Sequence, residues 1–146
     1  MKQSSFHWAF LSVGLLLVFT TIGCGPTGPA IAEVEGQVLM NGQPLPGATV
    51  TFEPPGARPS VGVTDEQGRY QLLYSTATEG ALVGEHVVRI STFQPSVPAG
   101  PNGEMTEMKP ELVPDKYNED SELTVVVEDS WGAQEHDFEL EADASS

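Results

Sequence analysis

The chain has 146 residues, which is enough for the hydrophobic core of one domain. Its 21 acidic residues against six basic ones give a net charge of −15 at pH 7. Nucleic acids are bound by clustered Lys and Arg, so this charge argues against a nucleic-acid-binding function, and equally against attachment to anionic lipid by charge attraction.

The first segment has the pattern of a secretory signal. Lys2 precedes an apolar run over about 8–19, and Cys24 follows. The run is shorter than the roughly 18 residues of a membrane-spanning helix, so we predict a cleaved signal helix over 1–23. Without that segment five basic residues remain against the same 21 acidic ones, and the mature chain carries a charge of −16.

Cys24 is the only cysteine, so an internal disulfide is excluded. Gly-Cys at the end of a signal resembles the lipobox of bacterial lipoproteins, in which this thiol receives a diacylglyceryl group and becomes the new N-terminus. Thr21 stands where that family usually has Leu. The resemblance implies export, palmitate-type acylation of Cys24 and a lipid anchor at the cell envelope. Gly25 lacks the acidic character of an inner-membrane retention signal, which favours the outer membrane.

After the signal, a Pro/Gly-rich tether is predicted over 24–32, and a period-two alternation of apolar and polar residues begins at Glu33. Alternating runs predict seven strands, over 33–40, 48–53, a short stretch around Val61 and Val63, 69–74, 84–91, 123–128 and 134–140. The apolar parity of these runs supplies the candidate core: Val34, Val38, Met40, Ala48, Val50, Phe52, Tyr70, Leu72, Tyr74, Val88, Ile90, Phe138 and Leu140. Residues 33–141 therefore predict one all-β domain of two stacked antiparallel layers, followed by an acidic tail over 142–146.

Turn chemistry separates the predicted strands. Asn41-Gly42 is a strong two-residue hairpin signal, and Asp65 to Gly68 predicts an Asx-turn closed by a left-handed glycine. Residues 75–83 are expected to form a polar loop. The segment 93–121 carries five prolines and no clean alternation, and loops of this length are often functional.

The motifs between Val34 and Ile90 resemble a known family. They read V-E-G-Q-V, then N-G-Q-P-L-P-G-A-T-V-T-F, then T-D-E-Q-G-R-Y-Q-L, then G-E-H-V-V-R-I. This series is similar to the carboxypeptidase regulatory-like domain, which implies a seven-stranded Greek-key sandwich like that of transthyretin (prealbumin). The K-Y-N-x-x-S-x-L-x-V stretch from Lys116 resembles one in small bacterial lipoproteins made of this single domain.

Two histidines follow the predicted cut, His86 and His136, both on the apolar parity. With a carboxylate they could hold zinc or copper, although partly buried core histidines are the interpretation we favour. Tyr70, Tyr74 and Tyr117 invite comparison with the iron site of intradiol dioxygenases, but the H-x-H pair of that family is missing. The C-terminal Tyr-Arg-Gly-Ser of hydroxyisourate hydrolase is replaced by residues 143–146.

Acidic stretches at 65–66 and 119–122 could bind calcium, but solvated turns are the simpler interpretation. Trp131 lies in a predicted tight turn, where we expect it to fold back over a sheet edge, with an exposed sugar platform or interface anchor as the alternative. Tyr117 is expected to pin the long segment through its hydroxyl.

These patterns predict a non-catalytic, lipid-anchored envelope protein that binds another envelope protein or a polysaccharide, with no cofactor, metal or catalytic residue. The alternatives are a metal-binding periplasmic domain and a divergent enzyme of the transthyretin fold.

Overall fold

The structure is a computed structural model that describes residues 28–100 and 102–142. The predicted signal 1–23, the lipidation site Cys24 and the end of the tail, 143–146, lie outside the described residues. Within these ranges no helix has the length and apolar character needed to cross a membrane.

The described residues form an all-β sandwich, as the alternation predicts. Its strands are β1 (Ile31–Ala32), β2 (Val34–Met40), β3 (Gln43–Pro44), β4 (Thr49–Glu53), β5 (Ser60–Val63), β6 (Arg69–Gln71), β7 (Leu73–Ser75), β8 (Thr78–Glu79), β9 (Ala81–Leu82), β10 (Gly84–Ser91), β11 (Thr124–Val127), β12 (Gln134–Glu135) and β13 (Phe138–Leu140). Each of the seven predicted strands is present, two of them split into two parts.

The larger sheet has the order β11-β10-β4-β5-β7-β8. At its centre β10 and β4 pair antiparallel. Between these two strands the chain forms β6 in the other sheet, and β10 then returns to lie beside β4. Val50 and Phe52 of β4 and Val88 and Ile90 of β10 are fully buried. The inward parity predicted for both strands is therefore confirmed.

The smaller sheet is built around β2. β6 and β3 pair with it antiparallel, whereas β12 and β13 pair with it in parallel. The expectation of purely antiparallel layers is wrong for this sheet. The loop after β11 brings the chain to the start of β2, so β12 and β13 run in the same direction as β2. Period-two alternation is the same in parallel and antiparallel strands, so it could not have revealed this pairing.

The predicted strand 69–74 changes sheets at Leu72. β6 pairs with β2, but β7, immediately after Leu72, pairs with β5 of the other sheet. The Leu72 side chain is fully buried, and its N–H donates to the carbonyl of Val34 at 2.9 Å. This residue therefore joins the two layers at the core.

Two segments predicted to be irregular contain strands. β1 occupies the last two residues of the predicted tether and pairs with β9, which lies with β8 inside the predicted loop 75–83. A Cβ added at Gly80, where φ is 103°, would lie 2.1 Å from the carbonyl oxygen of Ala32. The two segments can approach this closely only because Gly80 has no side chain. Ladders of two residues are too short to show alternation.

Both predicted turns are confirmed. Asn41 and Gly42 have φ values of 50° and 75°, as the hairpin signal requires. Asp65 Oδ1 accepts hydrogen bonds from the N–H groups of Gln67 and Arg69 at 2.9 and 2.8 Å, and Gly68 is left-handed with φ 73°.

Candidate functional site

Both histidines of the domain lie against one aromatic ring. The ring centroids of His86 and His136 are 5.7 and 5.9 Å from that of Phe52. Tyr70 and Phe138 contact the same ring at centroid distances of 6.4 and 6.2 Å. The fold thus brings together two histidines that are 50 residues apart in the chain, and it does so around a buried phenylalanine.

His86 is buried in the core, and His136 is half-buried. His86 Nε2 donates to the carbonyl of Leu82 at 2.7 Å, so that nitrogen carries the proton. The other ring nitrogen of His86, Nδ1, is buried and has no hydrogen-bond partner among the described residues. The same is true of Nε2 of His136. Burial lowers the pKa of His136, an effect that Asp137 opposes and His86 reinforces. No group of three or more His, Cys, Asp or Glu side chains in the described ranges is placed to hold a metal ion.

Tyr70 is a structural tyrosine at the edge of this cluster. Its hydroxyl donates to the carbonyl of His136 at 2.6 Å, and burial raises its pKa. The same carbonyl lies over Gly36, where an added Cβ would be 2.0 Å from the oxygen. Gly36 therefore leaves room for the chain between β12 and β13 to cross β2 closely.

The three tyrosines do not share a site. The ring of Tyr74 lies 5.8 Å from the guanidinium of Arg58, and the hydroxyl of Tyr117 accepts a hydrogen bond from the N–H of Glu141 at 3.3 Å. Tyr70 is in the core instead. A set of two tyrosines and two histidines of the dioxygenase kind is therefore not assembled, while Tyr117 does pin the long segment, here to the end of β13.

The acidic stretches named as calcium candidates are parts of turns. Asp65 uses one carboxylate oxygen to close its own turn, as described above. In the stretch 119–122, the Ser121 hydroxyl donates to the carbonyl of Val88 at 2.5 Å, and the carbonyl of Glu119 accepts from Arg89 at 2.6 Å. The last two contacts attach the 119–122 turn to β10 of the sandwich.

The long segment 93–121 forms an irregular hairpin followed by a 3₁₀ turn at Asp115–Tyr117. We call residues 93–112 the arm. The N–H and C=O groups of Gln94 and Lys109 are paired at 3.1 and 2.9 Å, and Thr106 N–H donates to Val97 at 2.8 Å. Large apolar side chains of the arm are exposed: Phe93 (50%), Val97 (48%), Met105 (57%), Met108 (62%) and Leu112 (60%).

A single carboxylate holds the base of the arm. Glu111 accepts hydrogen bonds from the hydroxyls of Ser91 and Thr92, from the N–H groups of Thr92 and Val113, and from Asn118 Nδ2. Partial burial raises the pKa of Glu111, but these hydrogen bonds outweigh it and lower the pKa to about 2. Sequence reasoning missed this residue, because its partners come from both ends of a long segment.

We expect Glu111→Gln to lower the free energy of unfolding by about 1–3 kcal/mol at pH 7, since an amide group replaces one of the two acceptor oxygens. A carboxylate whose pKa is lowered in the folded state stabilises the fold above its unfolded pKa and loses that contribution as the pH falls. The difference between wild type and variant should therefore shrink between pH 4.5 and about 2. Urea unfolding at a series of pH values measures it. Glu107→Gln, at an exposed position of the arm, is the control; a difference that stays constant down to pH 2 would contradict the assignment.

Trp131 is fully exposed, so the expectation that it folds back over a sheet edge is wrong. The loop 128–134 is closed at its neck by the Gln134 amide, whose Nε2 donates to the carbonyl of Glu128 at 2.8 Å and whose Oε1 accepts from the Glu128 N–H at 2.9 Å. Gly132 has φ 94°. The loop is thus closed at its neck, and the indole of Trp131 lies in solvent.

A second apolar surface lies on the outer face of the larger sheet. Val61, Val63 and Leu73 are 38%, 58% and 46% exposed and line a shallow groove of about 570 Å³. The strand around Val61 and Val63 is present as predicted, and its buried positions are Ser60 and Gly62. Close packing of Gly62 against the backbone of Gln71 explains this parity, because a Cβ there would be 2.5 Å from the Gln71 carbonyl oxygen.

No protein-family model and no curated protein matches the sequence. Among solved structures the chain is similar to a DUF3823 family protein from Parabacteroides merdae, with 17% identity and a TM-score of 0.40 over 79% of this chain and 48% of that one. It is also similar to a 9R-lipoxygenase from Cyanothece, with 17% identity and a TM-score of 0.40 over 80% of this chain and 17% of that one. The chain thus spans about half the length of the first protein and less of the second.

Proposed function

We propose that the chain is an exported bacterial lipoprotein whose body is a carboxypeptidase regulatory-like sandwich, held at the cell envelope by acyl chains on Cys24. The short apolar leader, the lone cysteine after Gly23 and the motifs between Val34 and Ile90 support this proposal. Each buried methylene contributes about 0.8 kcal/mol to membrane binding, so the two or three chains of a mature lipoprotein make a lasting anchor. Gly25 favours the outer membrane.

The work of the anchored domain is binding without catalysis, and its partner is an envelope protein or polysaccharide. The exposed apolar side chains of the arm are the observation that carries this proposal. Soluble monomers rarely leave large apolar patches uncovered, and such patches mark interaction sites. Phe93, Met105 and Met108 are 50%, 57% and 62% exposed, and all three belong to one hairpin.

Hydrogen bonds at its base attach the arm to the sandwich. Its base is tied down by the Glu111 hydrogen bonds, and Gln94 Nε2 donates to the carbonyl of Gly47 at 3.3 Å. A surface ordered in advance loses little conformational entropy on binding. This suits a binding role better than a role as a flexible linker.

The position of the arm fits an anchored binding module. β10 begins at Gly84, beside Val83, whose N–H donates to the carbonyl of Ala30, and it ends at Ser91, directly before the arm. A strand of this length spans roughly 25 Å. The arm therefore lies at the end of the sandwich opposite the tether, where it is free of the membrane that the acyl chains enter.

We expect Met108→Asp to reduce recovery of the bound envelope partner about tenfold when the lipoprotein is purified from intact envelopes. A central apolar contact is worth about 1–2 kcal/mol in an interface, and a buried carboxylate adds a desolvation cost. Quantitative mass spectrometry and sugar analysis of the co-purified material measure the change.

Val63→Asp is the matched control, because Val63 is 58% exposed and lies on the sheet face instead of the arm. The control should retain the partner. Equal recovery with both variants would contradict binding through the arm, and loss with Val63→Asp alone would move the site to the groove on the larger sheet.

A further inference from the structure

The loop that carries Trp131 lies at the same end of the sandwich as the tether. β12 follows this loop directly and runs parallel to β2, so both strands start at one end. The N–H of Gln134 donates to the carbonyl of Glu33 at 2.9 Å. The last residue of the loop is thus hydrogen-bonded to the residue that precedes β2.

The other side of the loop is tied to the same end. Val127, which precedes the loop, is paired with Gly84 at the start of β10. The neighbouring Val83 donates its N–H to the carbonyl of Ala30 at 2.9 Å. Residues on both sides of Trp131 therefore border the point where the chain comes in from Cys24.

The covalent chain limits how far this end can stand from the lipid. Six residues lie between Cys24 and Ile31, the first strand residue, so seven Cα–Cα steps join the two. Even a fully extended chain of that length spans at most roughly 25 Å. If the acyl chains on Cys24 are in the bilayer, the tether end of the sandwich is kept near the membrane surface.

The side chains at this end are suited to contact with a lipid headgroup region through an aromatic ring, and not to attraction by charge. Trp131 exposes its whole side chain, and Val126, in the strand that precedes its loop, is 52% exposed. Tryptophan is enriched at membrane interfaces, where its apolar ring and its N–H donor are both accommodated. The surrounding ranges 29–35, 81–86 and 126–135 contain acidic residues but no Lys or Arg, so attraction to anionic lipid plays no part.

We propose that Trp131 inserts into the headgroup region of the membrane that holds the acylated Cys24, and that the sandwich stands with its tether end on the lipid and the arm directed away from it. This inference rests on the proposed lipidation of Cys24. It adds a second contact, 107 residues along the chain from the first, which orients the domain in addition to retaining it.

The mature chain is suited to a direct test, because Trp8 leaves with the signal and Trp131 is then the only tryptophan. The lipoprotein purified from membranes is reconstituted into phosphatidylcholine–phosphatidylethanolamine vesicles, and the acyl mass on Cys24 is measured. We expect Trp131 fluorescence to shift to shorter wavelength relative to a vesicle-free preparation cleaved between Cys24 and Ile31. We also expect the Trp131 fluorescence to be protected from acrylamide and to be quenched by brominated lipid. The wavelength shift, the protection and the quenching should all be smaller when anionic lipid is added.

The matched control is the double variant Trp131→Phe with Phe93→Trp, which moves the only tryptophan to the arm, where Phe93 is already half exposed. In the same vesicles this tryptophan should keep the emission and quenching of a water-exposed indole. Equal behaviour of the two proteins would overturn the inference.

The remaining outcomes separate this inference from the proposed function. If Cys24 is acylated and Trp131 stays in water, the inference fails while the lipoprotein function stands. If Cys24 carries no acyl chain, both fail. A shift of equal size with peptidoglycan fragments in the absence of vesicles would make Trp131 a carbohydrate site and overturn membrane insertion.

Discussion

Phe52→Ala is expected to lower the free energy of unfolding by about 3–5 kcal/mol, a large part of the stability of a domain of this size. The Phe52 ring is fully buried and contacts both histidines, Tyr70 and Phe138. Removing it leaves a cavity between the two sheets. The imidazole rings of His86 and His136, whose centroids lie 5.7 and 5.9 Å from that of Phe52, would border the cavity.

Urea unfolding followed by circular dichroism measures this loss, since the exposed Trp131 is a poor reporter of the core. Phe93→Ala is the matched control, because it removes the same side chain from a position that is 50% exposed, and we expect a change below about 1 kcal/mol. Similar losses for the two variants would show that Phe52 is not the centre of the core.

Gly36→Ala is expected to destabilise the fold by about 3 kcal/mol or more, although it adds only one methyl group. The new Cβ would lie 2.0 Å from the carbonyl oxygen of His136 and 3.0 Å from the Tyr70 hydroxyl. Neither backbone segment can move freely, because β2 is hydrogen-bonded on both sides. Relief therefore requires separating β2 from the last strand or breaking the bond between Tyr70 and His136.

Thermal unfolding of Gly36→Ala and of Gly100→Ala provides the comparison. Gly100 has nothing within 4 Å of an added Cβ, so its substitution should change the stability by less than about 0.5 kcal/mol. A Gly36 variant as stable as this control would mean that β2 and the His136 segment are farther apart than described here.

Local patterns predicted the features that depend on neighbours in the chain. Alternation placed Val50, Phe52, Val88 and Ile90 in the core, because successive side chains of a strand point to opposite faces wherever the strand pairs. Where apolar parity and burial disagree, as at Val61, the cause is a contact with another segment.

The sequence predicted the candidate site only in part, because its residues are brought together by contacts between distant segments of the chain. His86 and His136 were singled out from their residue type and parity, but their meeting around Phe52 depends on β10 and the last strand lying in facing sheets. Glu111 gave no signal, since an isolated glutamate in a proline-rich segment resembles any solvated residue. Its role exists only once Ser91 and Asn118 are brought to it.

By itself, the sequence determined the all-β class, the positions of the seven strands with apolar alternation, the Asn41-Gly42 and Asp65–Gly68 turns, and the apolar pattern that ends at Cys24. Those properties follow from backbone preferences and side-chain alternation over a few residues. Only the tertiary structure decided the parallel last strand, the change of sheet at Leu72, the exposure of Trp131 beside the tether and the hydrogen bonds of Glu111 at the base of the arm. Each of these depends on contacts between segments far apart in the chain, whose pairing local preferences do not encode.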